Sequence, residues 1–246
     1  MQSRIAYICA LTVLSWTTAL QAQTTYTWDF GSTSGSLAPS SGSSTSFTVS
    51  NFSVANPKNG NTSLSSTNSS SGYTGASGAF NYGVSTEPGI LLNTTTSTYF
   101  AFSVDPVDST GTIVNAISFG TRINSQNALQ SGPRSITIRS SVDNYQSDII
   151  TPITTTPFNT WNLNQFALNT TLDSGGAPIE FRIYGYEATR ASNGIDFQID
   201  DFSITLTPVP EPGTILGIGA AVMGIGAFVR RKYTKTVSQP EPALTV

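Results

Sequence analysis

The sequence predicts an all-β protein, a β-sandwich set between two address segments. Three observations predict it. Apolar and polar residues alternate over short runs through the centre of the chain. Gly, Pro, Asn and Asp punctuate those runs at intervals suited to sandwich turns. Charged residues make up only 10% of the chain while aromatic residues also reach 10%, which fits a folded extracellular β-protein rather than a disordered segment.

The chain opens as a secretory signal peptide over 1–22. Arg4 supplies the positive start, 5–14 the apolar run, and Leu20-Gln21-Ala22 a small-residue cleavage site. Cleavage between Ala22 and Gln23 makes signal peptidase and the general secretion machinery expected partners. Cys9 lies too early in the apolar run to accept a lipid.

Over 23–208 the pattern predicts nine strands, at 25–30, 46–54, 98–104, 112–119, 135–142, 148–153, 160–166, 179–186 and 195–206. The polar stretch 56–78 reads as a long loop. Within 135–142, Ile136, Ile138 and Val142 are expected inward, with Thr137, Arg139 and Ser141 outward. Within 179–186, Ile179, Phe181 and Ile183 are expected inward, with Glu180, Arg182, Tyr184 and Tyr186 outward. In the last strand Ile195, Phe197 and Ile199 share one parity and Phe202, Ile204 and Leu206 the other. A β-bulge at Asp200-Asp201 restores a single inward face.

The residue inventory excludes whole chemistries. The chain has no histidine, and Cys9 is its only cysteine. Ser-His-Asp triads, histidine zinc sites, iron–sulfur clusters and disulfides are therefore ruled out of the mature protein. Six basic residues face twelve acidic ones over 23–208, a net charge of −6, with no basic stripe to follow phosphates, so no nucleic-acid partner is expected.

The C-terminal segment, 209–232, joins Pro210-Glu211-Pro212 and Gly213 to an uncharged Gly-rich run over 213–229, then to Arg230, Arg231 and Lys232. Seventeen residues at 1.5 Å rise give a helix of about 25 Å against a hydrocarbon core of ~30 Å. A transmembrane helix over 213–229 is expected, its basic end staying cytoplasmic with the tail 233–246 and the sandwich outside. These residues resemble the PEP-CTERM sorting signal of Gram-negative bacteria. The resemblance implies recognition by an exosortase, inner-membrane anchoring before processing, and then a place at the cell surface or in an exopolysaccharide-rich biofilm matrix. The family signal normally ends soon after its basic cluster, whereas this chain continues to Val246.

The central stretch also resembles a jelly-roll type common in such exported proteins. The resemblance rests on Trp28-Asp29-Phe30, the run from Gly132 to Asp143, Phe181-Arg182-Ile183-Tyr184-Gly185-Tyr186, and Ile199-Asp200-Asp201-Phe202. It implies a sandwich like galactose-binding and carbohydrate-binding modules, with terminal strands that meet.

Candidate sites follow. Outward Arg182, Tyr184 and Tyr186 offer a possible ligand face, since an exposed aromatic presents a flat apolar surface with a polar tip. Ordinary cross-strand pairing on a solvated sheet explains the same residues. Asp196, Asp200 and Asp201, with Asp105 and Asp108 at a turn, are candidates for a structural calcium, though no required cofactor is expected. Glycoside hydrolysis needs two facing carboxylates, such as Glu180 with Glu187. The expected function is a non-enzymatic adhesion or polysaccharide-associated surface module. The alternatives are a carbohydrate-active enzyme and a purely structural matrix component.

Overall fold

A computed structural model of the protein describes residues 22–65, 73–89, 91–107, 111–127, 130–189 and 194–209. The signal peptide over 1–21, Asp108, the expected transmembrane helix and the tail lie outside the described residues. One compact unit spans Ala22–Val209. No helix among the described residues is long and apolar enough to cross a membrane.

Among the described residues, fourteen strands form the unit. They are β1 (Thr24–Trp28), β2 (Phe47–Val49), β3 (Ser53–Ala55), β4 (Thr62–Ser65), β5 (Asn81–Val84), β6 (Tyr99–Pro106) and β7 (Gly111–Ile123). Then come β8 (Ser125–Asn127), β9 (Gln130–Ser131), β10 (Ser135–Ser140), β11 (Ile153–Thr154), β12 (Trp161–Asp173), β13 (Ile179–Tyr186) and β14 (Phe197–Val209). The first sheet runs β12-β7-β14-β5-β4, with β1 also on β14. The second runs β11-β10-β13-β6-β2, with β3 also on β6, and β8-β9 form a small ribbon. From β5 to β7 and from β10 to β14 the long strands alternate between the two sheets, the crossing pattern of a jelly roll.

The core is aromatic. Phe102 of the second sheet lies 5.0 Å from Trp28 and 5.0 Å from Phe202 of the first, by ring centroids. Phe52 stands edge-on to Trp28 at 5.2 Å, and Phe181 stacks on Phe102. These rings are all buried. Edge-to-face and offset contacts of this kind add to the burial of large apolar surfaces.

Alternation holds where both faces have clear roles. Ile136, Ile138, Ile179, Phe181 and Ile183 are all buried inward. The phase change in β14 resolves as a register shift against β7 between Asp200 and Ser203, with Asp201 at φ 46°. Two further shifts, between Thr205 and Leu206 of β14 and between Ala167 and Thr170 of β12, have no counterpart in the alternation of the sequence.

Several expectations are corrected. The stretch 56–78 is not all loop, because Thr62–Ser65 pairs with β5 as an edge strand. Asn81–Val84 is a strand despite Gly83, where a side chain would run into Ile195 and Gln198. Val142 is 37% exposed because β10 ends at Ser140 and a 3₁₀ turn follows. Thr137, expected in water, is buried beneath neighbouring segments. Of the 148–153 run only Ile153 joins a strand, as the first residue of β11, while Ile150 is buried in the core from a loop.

The strand directions set two ends. Thr24 pairs with Leu206, and Val209 with Gly111, which also pairs with Asp173. The chain therefore enters β1 and leaves β14 at the same end. The opposite end gathers Tyr186, Ser97 and the segment after Val84.

Candidate functional site

The outer face of the second sheet carries Ser135, Thr137 and Arg139 from β10. It also carries Glu180, Arg182, Tyr184 and Tyr186 from β13, and Tyr99 and Ala101 from β6. Register places Thr137, Tyr184 and Tyr99 in one row and Arg139, Arg182 and Ala101 in the next. Two loops fold over these rows. The turn after β10 brings in Tyr145 at φ 60°, and the segment before β6 brings in the carbonyl of Thr94.

Arg182 is held from every side. Its Nε donates to Glu180 Oε1 at 2.5 Å, and its guanidinium lies 3.7 Å from the Tyr145 centroid and 4.4 Å from that of Tyr99. Its Nη1 donates to Tyr184 Oη at 3.3 Å, and Tyr184 in turn donates to Thr94 O at 3.2 Å. Burial works against the Arg182 charge, but the bonds and charges of Tyr184 and Glu180 outweigh it and push the guanidinium further up. Burial, then the bond to Glu180, raises the Tyr145 phenol. Arg139 bonds Asp148 at 2.6 Å and the Tyr145 carbonyl at 2.9 Å.

The expected open face is corrected by this cover. Arg182 and Tyr184 point outward from the sheet, but Tyr184 is fully buried under the loops. A sugar ring cannot stack on the Tyr184 ring, and the Arg182 guanidinium is already occupied by Tyr145 and Tyr99. Tyr186 is different. It is half-buried and lines a pocket of ≈ 310 Å³ with Glu87, Pro88, Gly89, Leu91, Thr96 and Ser97. Leu91 is 76% exposed on the rim.

The walls of this pocket are fixed by side chains behind them. Asn93 Oδ1 accepts from Thr95 N and Thr96 N at 2.9 and 3.1 Å, an Asx turn that shapes the 93–97 segment. Asn56 Nδ2 donates to Thr95 O and Ser97 O. Thr98 Oγ1 accepts from Glu87 N at 3.1 Å and donates to Asn56 O at 2.7 Å. Gly89 N donates to Ala188 O at 3.1 Å, tying the wall to the chain beyond β13. Sequence reasoning flagged Tyr186 and missed Glu87, Leu91, Thr96 and Ser97. The Asn93 start of a Thr/Ser run was the available signal.

Among the described residues, Asp196, Asp200 and Asp201 are engaged by protein groups. Asp196 Oδ1 accepts from Thr86 N and Thr86 Oγ1, each at 2.9 Å. Asp200 Oδ1 accepts from Asp201 N. Asp201 accepts from Tyr73 Oη at 2.6 Å and Ser77 N at 2.9 Å, with Ser77 Oγ also donating. Each carboxylate thus serves protein donors, and among the described residues no three Asp, Glu, His or Cys side chains gather. Asp105 lies on β6 opposite Thr48.

Glu180 and Glu187 are likewise separate. The six-residue extended path from Glu180 to Tyr186 alone spans about 20 Å, and Glu187 lies beyond it. That is far more than the ~5–9.5 Å of a glycosidase pair. Glu187 accepts from Ser135 Oγ at 2.6 Å instead.

At the other end, β14 stays paired through Pro208–Thr112 and Val209–Gly111. No spacer separates it from Pro210. Ala22 and Gln23, the expected cleavage pair, are exposed immediately ahead of β1. Pro210, Glu211, Pro212, Gly213, Arg230, Arg231 and Lys232 lie outside the described residues.

Residues 208–232 match the model of the PEP-CTERM protein-sorting motif. The chain therefore carries this motif, which implies export, sorting by an exosortase and anchoring through the C-terminal region. No curated protein matches the chain. Among solved structures, the unit is similar to TmCBM61 in complex with β-1,4-galactotriose, at 17% identity and a TM-score of 0.35, covering 62% of this chain and 86% of that one. It is similar to the CBM22-1 xylan-binding domain of Paenibacillus barcinonensis Xyn10C, at 11% identity and a TM-score of 0.40, covering 75% and 94%. It is also similar to the K1 cleaved adhesin domain of Lys-gingipain from Porphyromonas gingivalis W83, at 13% identity and a TM-score of 0.36, covering 73% and 96%.

Proposed function

We propose that this chain is an exported cell-surface or extracellular-matrix protein whose sandwich is a non-enzymatic module that associates with polysaccharide. The observation that carries the second half is the pocket at Tyr186. An aromatic ring, two apolar rim residues, two hydroxyl side chains and one carboxylate converge on a cavity whose walls are pinned by Asn56, Asn93 and Thr98. Its ≈ 310 Å³ sits at the lower bound of the ~300–1,000 Å³ of small-molecule sites. A pyranose needs such a mixture, because one face of the ring is apolar and its edge is hydroxylated. The sorting motif supports the first half, since it sends the domain to the compartment where such polymers lie.

The test is co-sedimentation of the detergent-solubilised full chain with neutral, cationic and anionic polysaccharides. Retention by at least one, lost in Tyr186→Ala with the melting temperature kept, is expected. No retention by any polymer would overturn the reading in favour of a purely structural matrix component. Release of reducing ends would instead make the protein a carbohydrate-active enzyme.

A further inference from the structure

The pocket at Tyr186 has a charge bias that narrows its ligand. Among the described residues that line it, Glu87 is the charged one, and it is exposed. Two guanidinium side chains lie near Tyr186. Arg182, on the same strand, is turned into Glu180, Tyr145 and Tyr99. Arg134, whose backbone N donates to Tyr186 O, directs its Nε to Ser131 Oγ. Glu187, next to Tyr186, adds a second carboxylate on this side, held by Ser135. A carboxylate and an aromatic ring sharing a rim both attract a cation, the first by a charge-assisted hydrogen bond and the second through the ring quadrupole. They repel a uronic acid or a sulfated sugar, for which the described lining residues offer no basic partner.

Hydroxyls of Thr96 and Ser97 stand ready for sugar hydroxyls, and Leu91 and Pro88 for the apolar ring face. The cavity has room for a sugar residue or two, not for a long stretch of polymer. It also lies at the end of the sandwich opposite Val209, where the chain runs on into the sorting motif.

Resting on the polysaccharide reading above, we propose that this pocket takes a pyranose bearing a protonated amino group, a de-N-acetylated amino sugar within or at the end of a polysaccharide. The ring lies against Tyr186 and Leu91. The ammonium faces the Glu87 carboxylate. The ring hydroxyls meet Thr96 and Ser97.

The experiment is isothermal titration of the full chain in detergent with three oligosaccharides of matched length. These are a glucosamine oligomer, its N-acetylated counterpart and an oligogalacturonate. The glucosamine oligomer is expected to bind at least about tenfold tighter than the acetylated one, the worth of one charge-assisted bond. Glu87→Gln should abolish that ratio and leave weak binding to both, and Tyr186→Ala should remove binding to both. Asp173→Asn makes the same charge change at the opposite end and should keep the ratio, with thermal melts confirming that each variant folds. Equal or tighter binding of the acetylated or acidic oligomer overturns the proposal. So does a ratio unchanged by Glu87→Gln, or one reduced equally by Asp173→Asn, which would mark unspecific attraction to an acidic protein. If polysaccharides still retain the chain in those cases, the broader reading stands while this one falls. Absence of binding to every sugar and polymer removes both.

Discussion

The guanidinium of Arg182 rests 3.7 Å from the centroid of the Tyr145 ring, so a strand residue and a loop residue clamp one another over the second sheet. The contact is partly buried, where a cation–π pair contributes about 0.5–2 kcal/mol. Tyr145→Leu should lower unfolding stability by roughly that amount, read as a shift in the urea midpoint. Tyr145→Phe keeps the ring and loses only the bond to Glu180, so it should cost about 1 kcal/mol. Equal losses in the two variants would mean that the ring face contributes nothing.

Phe102 joins the two sheets through Trp28, Phe52, Phe181 and Phe202. Phe102→Ala should destabilise by about 3–5 kcal/mol, lost burial and residual cavity acting together. Val142→Ala lies on an exposed turn and should stay within about 0.5 kcal/mol of the parent. Chemical denaturation of both variants checks the contrast. A Phe102→Ala protein as stable as the parent would refute the packing described.

Alkaline pH is the third test. Burial, the first cause in every case, raises Tyr26, Tyr73, Tyr82, Tyr99, Tyr145, Tyr184 and Tyr186 above the ordinary value of 10.0. For Tyr73 the bond to Asp201 and the charges of Asp200 and Asp201 add to the rise. The folded state holds these protons more tightly than the unfolded chain, so their contribution is complete below pH 10.0 and falls as pH climbs above it. Phenolate absorbance should therefore rise together with loss of the β-sheet dichroism. Ionisation of all the tyrosines with the fold intact would contradict this.

The sorting motif makes its own prediction. Pro210→Ala combined with Glu211→Gln should leave the chain at its precursor mass and in the membrane fraction, by mass spectrometry and fractionation of the producing cells. Processing at the parental rate would exclude these residues from recognition.

The sequence revealed the sandwich where two conditions met, a buried inner face and a wet outer one. Ile179, Phe181 and Ile183 satisfy both, and the shift of parity at Asp200-Asp201 was visible because large apolar residues flank it on each side. Asn81–Val84 was hidden because it is four residues long, contains Gly83 and is buried on both faces, with Tyr82 and Val84 in the core and Asn81 Oδ1 accepting from Gln198 Nε2 on the other side. Tyr184 was assigned to the right face and the wrong environment. Alternation reports which side of a sheet a residue takes, and nothing about the loop that settles over that side. The pocket was mostly illegible for a related reason. Its lining comes from two separate segments, 87–97 and Tyr186, which only the pairing of β13 with β6 brings together.

The pairing of Thr24 with Leu206, continued to Trp28 with Phe202, also sets a timetable. Chains are made from the N-terminus onward. The first strand therefore waits for the last, and Trp28 has no complete berth until Phe202 arrives some 170 residues later. Completion of the sandwich core is deferred until synthesis reaches the threshold of the sorting motif. The strand that completes the berth of Trp28 is thus the one that runs straight on into the residues of the sorting motif.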